Sequence, residues 1–235
     1  MIPKEKIETE IRKKDPIILI KLGIVNCYLI KTEKGYVLID TGFRRKRKDL
    51  EKELDNAGCK PGELQLIILT HQDFDHTGNA AYISSKYDSP IAMHEEDTEA
   101  VKRGDMLWNR KGRNIITRII MKIILMAYRT GKFEKFSPDI QLEDGDILTS
   151  YGLNAKVLHL PGHSKGSIGI LTTSGKLFSG DLFMNFKKPN KSSLIDMKDD
   201  LDASIEKLKQ FEIDIVYPGH GLPFALRDYF EPSKK

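Results

Sequence analysis

Thr70-His71-Gln72-Asp73-Phe74-Asp75-His76 places four metal-competent side chains within six residues. Histidine and carboxylate are the ordinary nitrogen and oxygen ligands of zinc, manganese and iron. On a tight loop, ligands at alternate positions can point at one centre. The chain holds six histidines, at 71, 76, 94, 159, 163 and 220. His163 follows Pro161-Gly162, His220 follows Pro218-Gly219, and Asp181 follows Gly180. Small residues there let the backbone turn sharply and approach a ligand. The candidate ligands are therefore His71, Asp73, Asp75, His76, His163, Asp181 and His220. One four-coordinate ion takes three protein ligands and a water. Seven ligands suit two ions roughly 3.5–4 Å apart, with one carboxylate between them. A single loop histidine is more often a surface or hydrogen-bonding group. His94, at a helix start, and His159, in an alternating strand, are read in that way.

The elements that position these residues follow from apolar patterning. Strands are predicted at 17–22, 24–31, 36–40, 66–70, 90–93, 140–142, 155–160, 167–173, 177–179 and 213–217. Helices are predicted at 44–57, 77–87 and 201–211, the first stopped by Gly58. Four of the six histidines, with Asp181, then lie in loops just beyond strands. Active groups of layered α/β folds collect at such strand ends. Strands and helices alternate in two similar halves, about 17–97 and 140–224. A helical insertion, about 98–136, separates them. No low-complexity linker intervenes, so 1–235 reads as one domain with sheets face to face and helices outside.

Composition bounds the partners. Of 235 residues, 40% are hydrophobic and 31% charged, which excludes a disordered or collagen-like chain. Thirty-eight basic and 34 acidic residues leave a net charge of +4, a mixed surface that does not imply nucleic acid. Cys27 and Cys59 cannot make a secreted-type disulfide framework, and Cys27 reads as a core residue. The charged start lacks a signal-peptide core, and no run of about 18 apolar residues suggests a transmembrane segment. The expectation is a soluble, cytoplasmic protein. The basic run at 44–48 reads as a solvated helix face. Apolar pairs at 115/116, 119/120 and 123/124 predict a helix over 113–128 with a broad apolar face. It reads first as a lid or wall of a substrate pocket, with Trp108 and Tyr128 lining it. The other readings are a contact with a second copy (a homodimer) and a membrane-surface helix. An apolar lid favours a small-molecule substrate with an acyl or other apolar part.

The motifs at 26–29, 38–42, 69–79, 160–167, 178–182 and 217–221 resemble, in order, those of the metallo-β-lactamase superfamily of metal-dependent hydrolases. The resemblance covers about residues 22–224. It implies a four-layer αββα sandwich, an α/β fold, with a metal centre at one edge between the sheets. It implies that His71 and His163 hold a first divalent ion, that Asp75, His76 and His220 hold a second, and that Asp181 lies between. Asp73 stands where the superfamily usually has its second histidine. A carboxylate is a harder ligand, so zinc comes first but iron or manganese enters too. Two such cations lower the pKa of a shared water toward neutrality, and Asp75 is placed to relay a proton. The expected reaction is hydrolysis of an ester-like bond: lactone, thioester, phosphodiester or β-lactam. The alternatives are a non-haem iron redox enzyme, through Asp73, and a nuclease, through the 44–48 run.

Overall fold

Alternation along the strands builds two apolar faces at once. In β2 (Val25–Thr32), Val25, Cys27 and Leu29 join one apolar cluster, while Tyr28 and Ile30 join another. The same split recurs in β3 (Gly35–Ile39) and β4 (Leu64–Ile68). Strands buried on both faces read as near-continuous apolar runs, which is how these segments appear in the sequence. The structure is a computed structural model that describes residues 17–108, 110, 134–192 and 196–231.

The first half also contains β1 (Ile17–Leu22), α1 (Arg47–Asn56), α2 (Phe74–Thr77), α3 (Ala80–Tyr87), β5 (Ile91–Met93) and α4 (Glu95–Arg103). The second contains β6 (Ile140–Gln141), β7 (Ala155–His159), β8 (Ile168–Thr172), β9 (Lys176–Asn185), β10 (Asn190–Lys191), α5 (Lys198–Lys207), β11 (Ile215–Gly221), β12 (Phe224–Ala225) and α6 (Arg227–Phe230). The strands run β6-β5-β4-β3-β2-β11-β9-β8-β7, with β1 on β2, β10 on β9 and β12 on β11. The halves join where His220 of β11 pairs with Val25 of β2. Across that seam the sheet folds back on itself. Tyr28, Val37, Ile39, Leu66 and Ile68 pack with Val157, Ile168, Ile170, Phe178 and Tyr217 in one cluster between the layers. Leu50 and Leu54 of α1, Ile83 and Tyr87 of α3 and Val101 of α4 cover one outer face. Leu201 and Ile205 of α5 cover the other. The order is helix, strand, strand, helix, the expected αββα arrangement.

Several elements differ from the sequence reading. β9 and β11 are longer than 177–179 and 213–217, so Asp181 and His220 lie inside strands rather than in loops beyond them. Gly180 and Pro218-Gly219 look like strand breakers. The parallel β9–β11 pair absorbs them as register shifts around Pro218, since a bulge tolerates a residue that cannot donate to the ladder. The Pro218 carbonyl accepts instead from the Tyr28 hydroxyl at 2.6 Å and from Asn26 Nδ2 at 3.0 Å. The helix read over 77–87 divides into α2 and α3. Between them, Asn79 donates through Nδ2 to the carbonyls of Thr41 at 2.7 Å and Phe43 at 2.9 Å. The helix read over 44–57 opens with a 3-10 turn, Arg44–Lys46, and the one over 201–211 starts earlier, at Lys198. In the basic run, Arg44 and Arg47 pair with Glu134 at 3.3 and 2.9 Å. The helix read over 113–128, with Tyr128, lies outside the described residues. Among those described, no helix is long and apolar enough to cross a membrane.

Candidate metal centre

The seven candidate ligands converge from five chain segments. His71 and Asp73 stand on the loop after β4, Asp75 and His76 on α2, and His163 between β7 and β8. Asp181 and His220 come from neighbouring positions of the paired strands β9 and β11. All are buried except Asp75, whose side chain keeps 15% of its surface exposed. Donor atoms lie within 4.8 Å of one another in three sets: His71, Asp73 and His163; His71, His76 and Asp181; Asp75, His76 and His220. Asp181 is the hub. Its Oδ1 lies 3.3 Å from His76 Nε2, and its Oδ2 lies 3.3 Å from His220 Nε2 and 3.8 Å from His163 Nε2. Asp75 Oδ2 stands 3.4 Å from His220 Nε2.

Neighbouring groups turn the Nε2 atoms of three histidines inward. His220 Nδ1 sits 2.7 Å from the Ile24 carbonyl, which can only accept, so that nitrogen carries the proton. His76 Nδ1 donates in the same way to Asp40 Oδ2 at 2.8 Å. The single Thr70 hydroxyl proton goes to the Asp40 carboxylate, at 2.9 Å. The Thr70 oxygen then accepts from His71 Nδ1, also at 2.9 Å. Outer partners of this kind set the tautomer and orientation of metal-binding histidines. Asp40, at φ 60, holds this arrangement from a strained backbone position at the end of β3.

The donor chemistry fits divalent cations. His71 Nε2, His76 Nε2 and Asp181 Oδ1 are buried without a hydrogen-bond partner. Such orphans cost free energy unless something else satisfies them. Burial opposes charge on His76, but Asp40, Asp181 and Asp75 outweigh it and hold the imidazole well above its usual range. Burial likewise opposes charge on His220, yet Asp181 and then Asp75 push it up to about 10. For His71 burial dominates and, with His76 and His163, keeps the ring neutral. The pocket thus draws positive charge toward Asp181. A divalent ion would displace the protons on His76 and His220, as metal binding releases protons from its ligands.

A family model, that of the metallo-beta-lactamase superfamily, matches residues 20–220. The chain belongs to the metallo-beta-lactamase superfamily. Among its relatives, the bovine acyl-coenzyme A thioesterase MBLAC2 is 27% identical over 227 residues, covering 87% of this chain and 76% of that protein. The probable metallo-hydrolase MJ0888 of Methanocaldococcus jannaschii is 27% identical over 200 residues, covering 83% and 87%. Among solved structures, TTHA1623 in a di-iron-bound form is 26% identical, with a TM-score of 0.68 over 92% of this chain and 98% of that one.

Within this superfamily member, three residues missed by the sequence reading organise the centre. Arg110, 4% exposed, forms an ion pair through Nη2 with Asp73 Oδ1. Asp73 is therefore not a free carboxylate. Burial opposes its charge, yet Arg110 and His163 hold it well below the ordinary carboxylate range. Asp97, also buried, accepts from the Gln72 N–H at 3.0 Å, the Gly166 N–H at 2.8 Å and the Ser164 hydroxyl at 2.6 Å. It ties the loop of His71 to the loop of His163. Asp40 is the third. It falls inside the Leu38-Ile39-Asp40-Thr41-Gly42 motif, a signal that could have marked it. Arg110 and Asp97 sit in no motif, because their partners lie far away in sequence. Trp108 stands partly in solvent, with the Arg103 guanidinium 3.9 Å over its ring.

Proposed function

We propose that this chain hydrolyses an acyl thioester or related ester of a small molecule at a centre of two divalent ions. The observation that carries the reading is the convergence of seven donors around Asp181, with three buried donor atoms left without hydrogen bonds. In this reading His71, Asp73 and His163 hold one ion, and Asp75, His76 and His220 hold the other, with Asp181 between. Ions held there supply a water nucleophile at neutral pH and polarise the scissile carbonyl. The protein's own part is to orient and to exclude water. Asp40, Thr70 and the Ile24 carbonyl keep the imidazoles aimed inward. Asp75, the most exposed donor, accepts and returns a proton at the mouth.

An acyl substrate is favoured by the rim. Ile24, 60% exposed, gives its carbonyl to His220, and the ring of Phe186, 58% exposed, lies 6.2 Å from the ring of His220. Two exposed large apolar residues thus adjoin the most accessible histidine of the set, one through its backbone carbonyl and one through its ring, and offer apolar surface to an acyl chain. The thioesterase name of the bovine relative agrees in substrate class. Zinc is the first choice of metal. Asp73 and the di-iron form of TTHA1623 favour iron as the second, and with it a redox reading.

The test starts with elemental analysis of the purified protein. Short- and long-chain acyl-coenzyme A substrates, a lactone and a phosphodiester are then assayed before chelation, after it and with metal restored. Thioester cleavage that chelation stops and metal restores supports the proposal. No thioester or ester turnover with restored metal sinks it, and coloured, iron-loaded, hydrolytically silent protein moves the weight to redox chemistry.

A further inference from the structure

We infer that Arg110 makes the two halves of the centre unequal, its guanidinium standing in for much of the positive charge that an ion at His71, Asp73 and His163 would bring. The inference rests on the metal assignment proposed above and adds an order of filling. Arginine stays protonated in any protein environment, so its charge is permanent. Here it is built in rather than adventitious. Its Nε donates to the Met106 carbonyl at 3.0 Å and lies 3.4 Å from Asp196 Oδ2, while Nη2 engages Asp73 Oδ1. That leaves Asp73 with one oxygen, Oδ2, facing His163 Nε2 at 3.1 Å and His71 Nε2 at 3.8 Å.

Charge then divides the donors. Asp73 is the only carboxylate in its set of three, and the guanidinium, which also faces Asp196, offsets much of its charge. On the other side, Asp75 and Asp181 both face His76 and His220, and Asp40 stands behind His76. No arginine or lysine pairs with Asp40, Asp75 or Asp181 among the described residues. In a pocket of low dielectric, a dication goes where uncompensated negative charge is greatest. The tight ion therefore lies among Asp75, His76, Asp181 and His220. The set of His71, Asp73 and His163 binds its ion more weakly, by about 10- to 100-fold, the range found when groups around metal ligands are altered.

Zinc is the probe. The metal-free full chain is dialysed against buffered zinc, and bound metal per chain is read by elemental analysis, with circular dichroism to verify folding. The expected isotherm shows one tight zinc and one about 10- to 100-fold weaker. His220→Ala removes the tight zinc and His163→Ala the weak one. Arg110→Met closes the gap by strengthening the weak site. That change leaves the buried Asp73 and Asp196 without this guanidinium, so Arg110→Met with Asp196→Asn serves as a second variant; it keeps Asp73 as an uncompensated carboxylate, and it too should bind two zincs of similar affinity. The inference is overturned by two equal zincs in the unaltered protein, or by the reverse assignment in the histidine variants. It is equally overturned by a gap that persists or widens in whichever of the two Arg110 variants folds. Absence of any bound zinc or other divalent ion overturns the metal assignment itself, a result distinct from equal filling.

Discussion

The protein brings histidines together twice, and only one of the groups looks like a metal centre. His71, His76, His163 and His220 lie with neighbouring ring centroids 4.1–5.4 Å apart. His94 and His159 stack even closer, at 4.0 Å and 13°. Proximity is therefore not the distinguishing property. His159 Nε2 lies 2.8 Å from the Lys165 carbonyl, and His94 Nδ1 accepts the Glu96 N–H to cap α4. Among the described residues, no carboxylate comes within ion-pair distance of either ring. The cluster of four instead turns its Nε2 atoms toward buried carboxylates and leaves three polar atoms without hydrogen bonds. The stacked pair has its hydrogen bonds made, whereas the cluster offers buried donors that could hold a cation.

Mutations can break this contrast in a graded way. The largest effect is expected from His76→Ala or Asp181→Ala, each of which should lose bound metal and bring hydrolysis to background while the fold stays near native. His159→Ala should leave both unchanged. Equal damage from His159→Ala, measured by turnover and elemental analysis, would remove the distinction between the two groups. Next comes Gly219→Ala. Gly219 has no left-handed backbone, but an added Cβ would sit 2.4 Å from Asp181 Oδ1 and 2.7 Å from His76 Cε1. Displacing these donors should lower kcat by roughly 10²-fold, the scale of a misplacement near 1 Å, with unchanged circular dichroism. Asp40→Asn should follow, weakening metal affinity by about 10- to 100-fold through the loss of an outer partner. Competition with a chelator reads that shift.

The smallest effect falls on the stacked pair and is a matter of pH. Burial, with His159 beside it, holds His94 down to about 4. The unfolded chain takes that proton near 6.5 and the folded chain only near 4. Stability from this group is thus complete above pH 6.5 and is lost as pH falls toward 4. His94→Asn keeps a capping side chain but removes the titration. Its urea midpoint should therefore fall less between pH 7 and pH 4.5 than that of the unaltered protein. A parallel fall in both would show that the stack carries none of the acid sensitivity.

The legible part of the site came from local spacing. His71, Asp73, Asp75 and His76 share one short stretch. His163, Asp181 and His220 each sit beside glycine, where the backbone must come close. At Gly180, with φ 49, a Cβ would stand 2.7 Å from Thr70 Oγ1, so the glycine before Asp181 lets β9 pass close to the loop of His71. Strand ends were less legible, because Gly180 and Pro218-Gly219 carry breaker chemistry that a neighbouring parallel strand accommodates. The outer partners were least legible. Asp97 joins Gln72 and Gly166 across 25 and 69 residues, and Arg110 reaches Asp73 across 37.

By itself, then, the sequence determined the donor types, their order along the chain and the alternation that makes both faces of each strand apolar. Those are local properties, set by residue chemistry and by periods of two and 3.6. Only the tertiary structure decided which carboxylates are free to meet a cation and which are already paired. Asp73 and Asp75 look alike in the chain, two residues apart. Folding gives one of them a buried guanidinium and the other a place beside His220. A carboxylate's charge belongs to its residue, but its compensation belongs to whatever the fold packs against it.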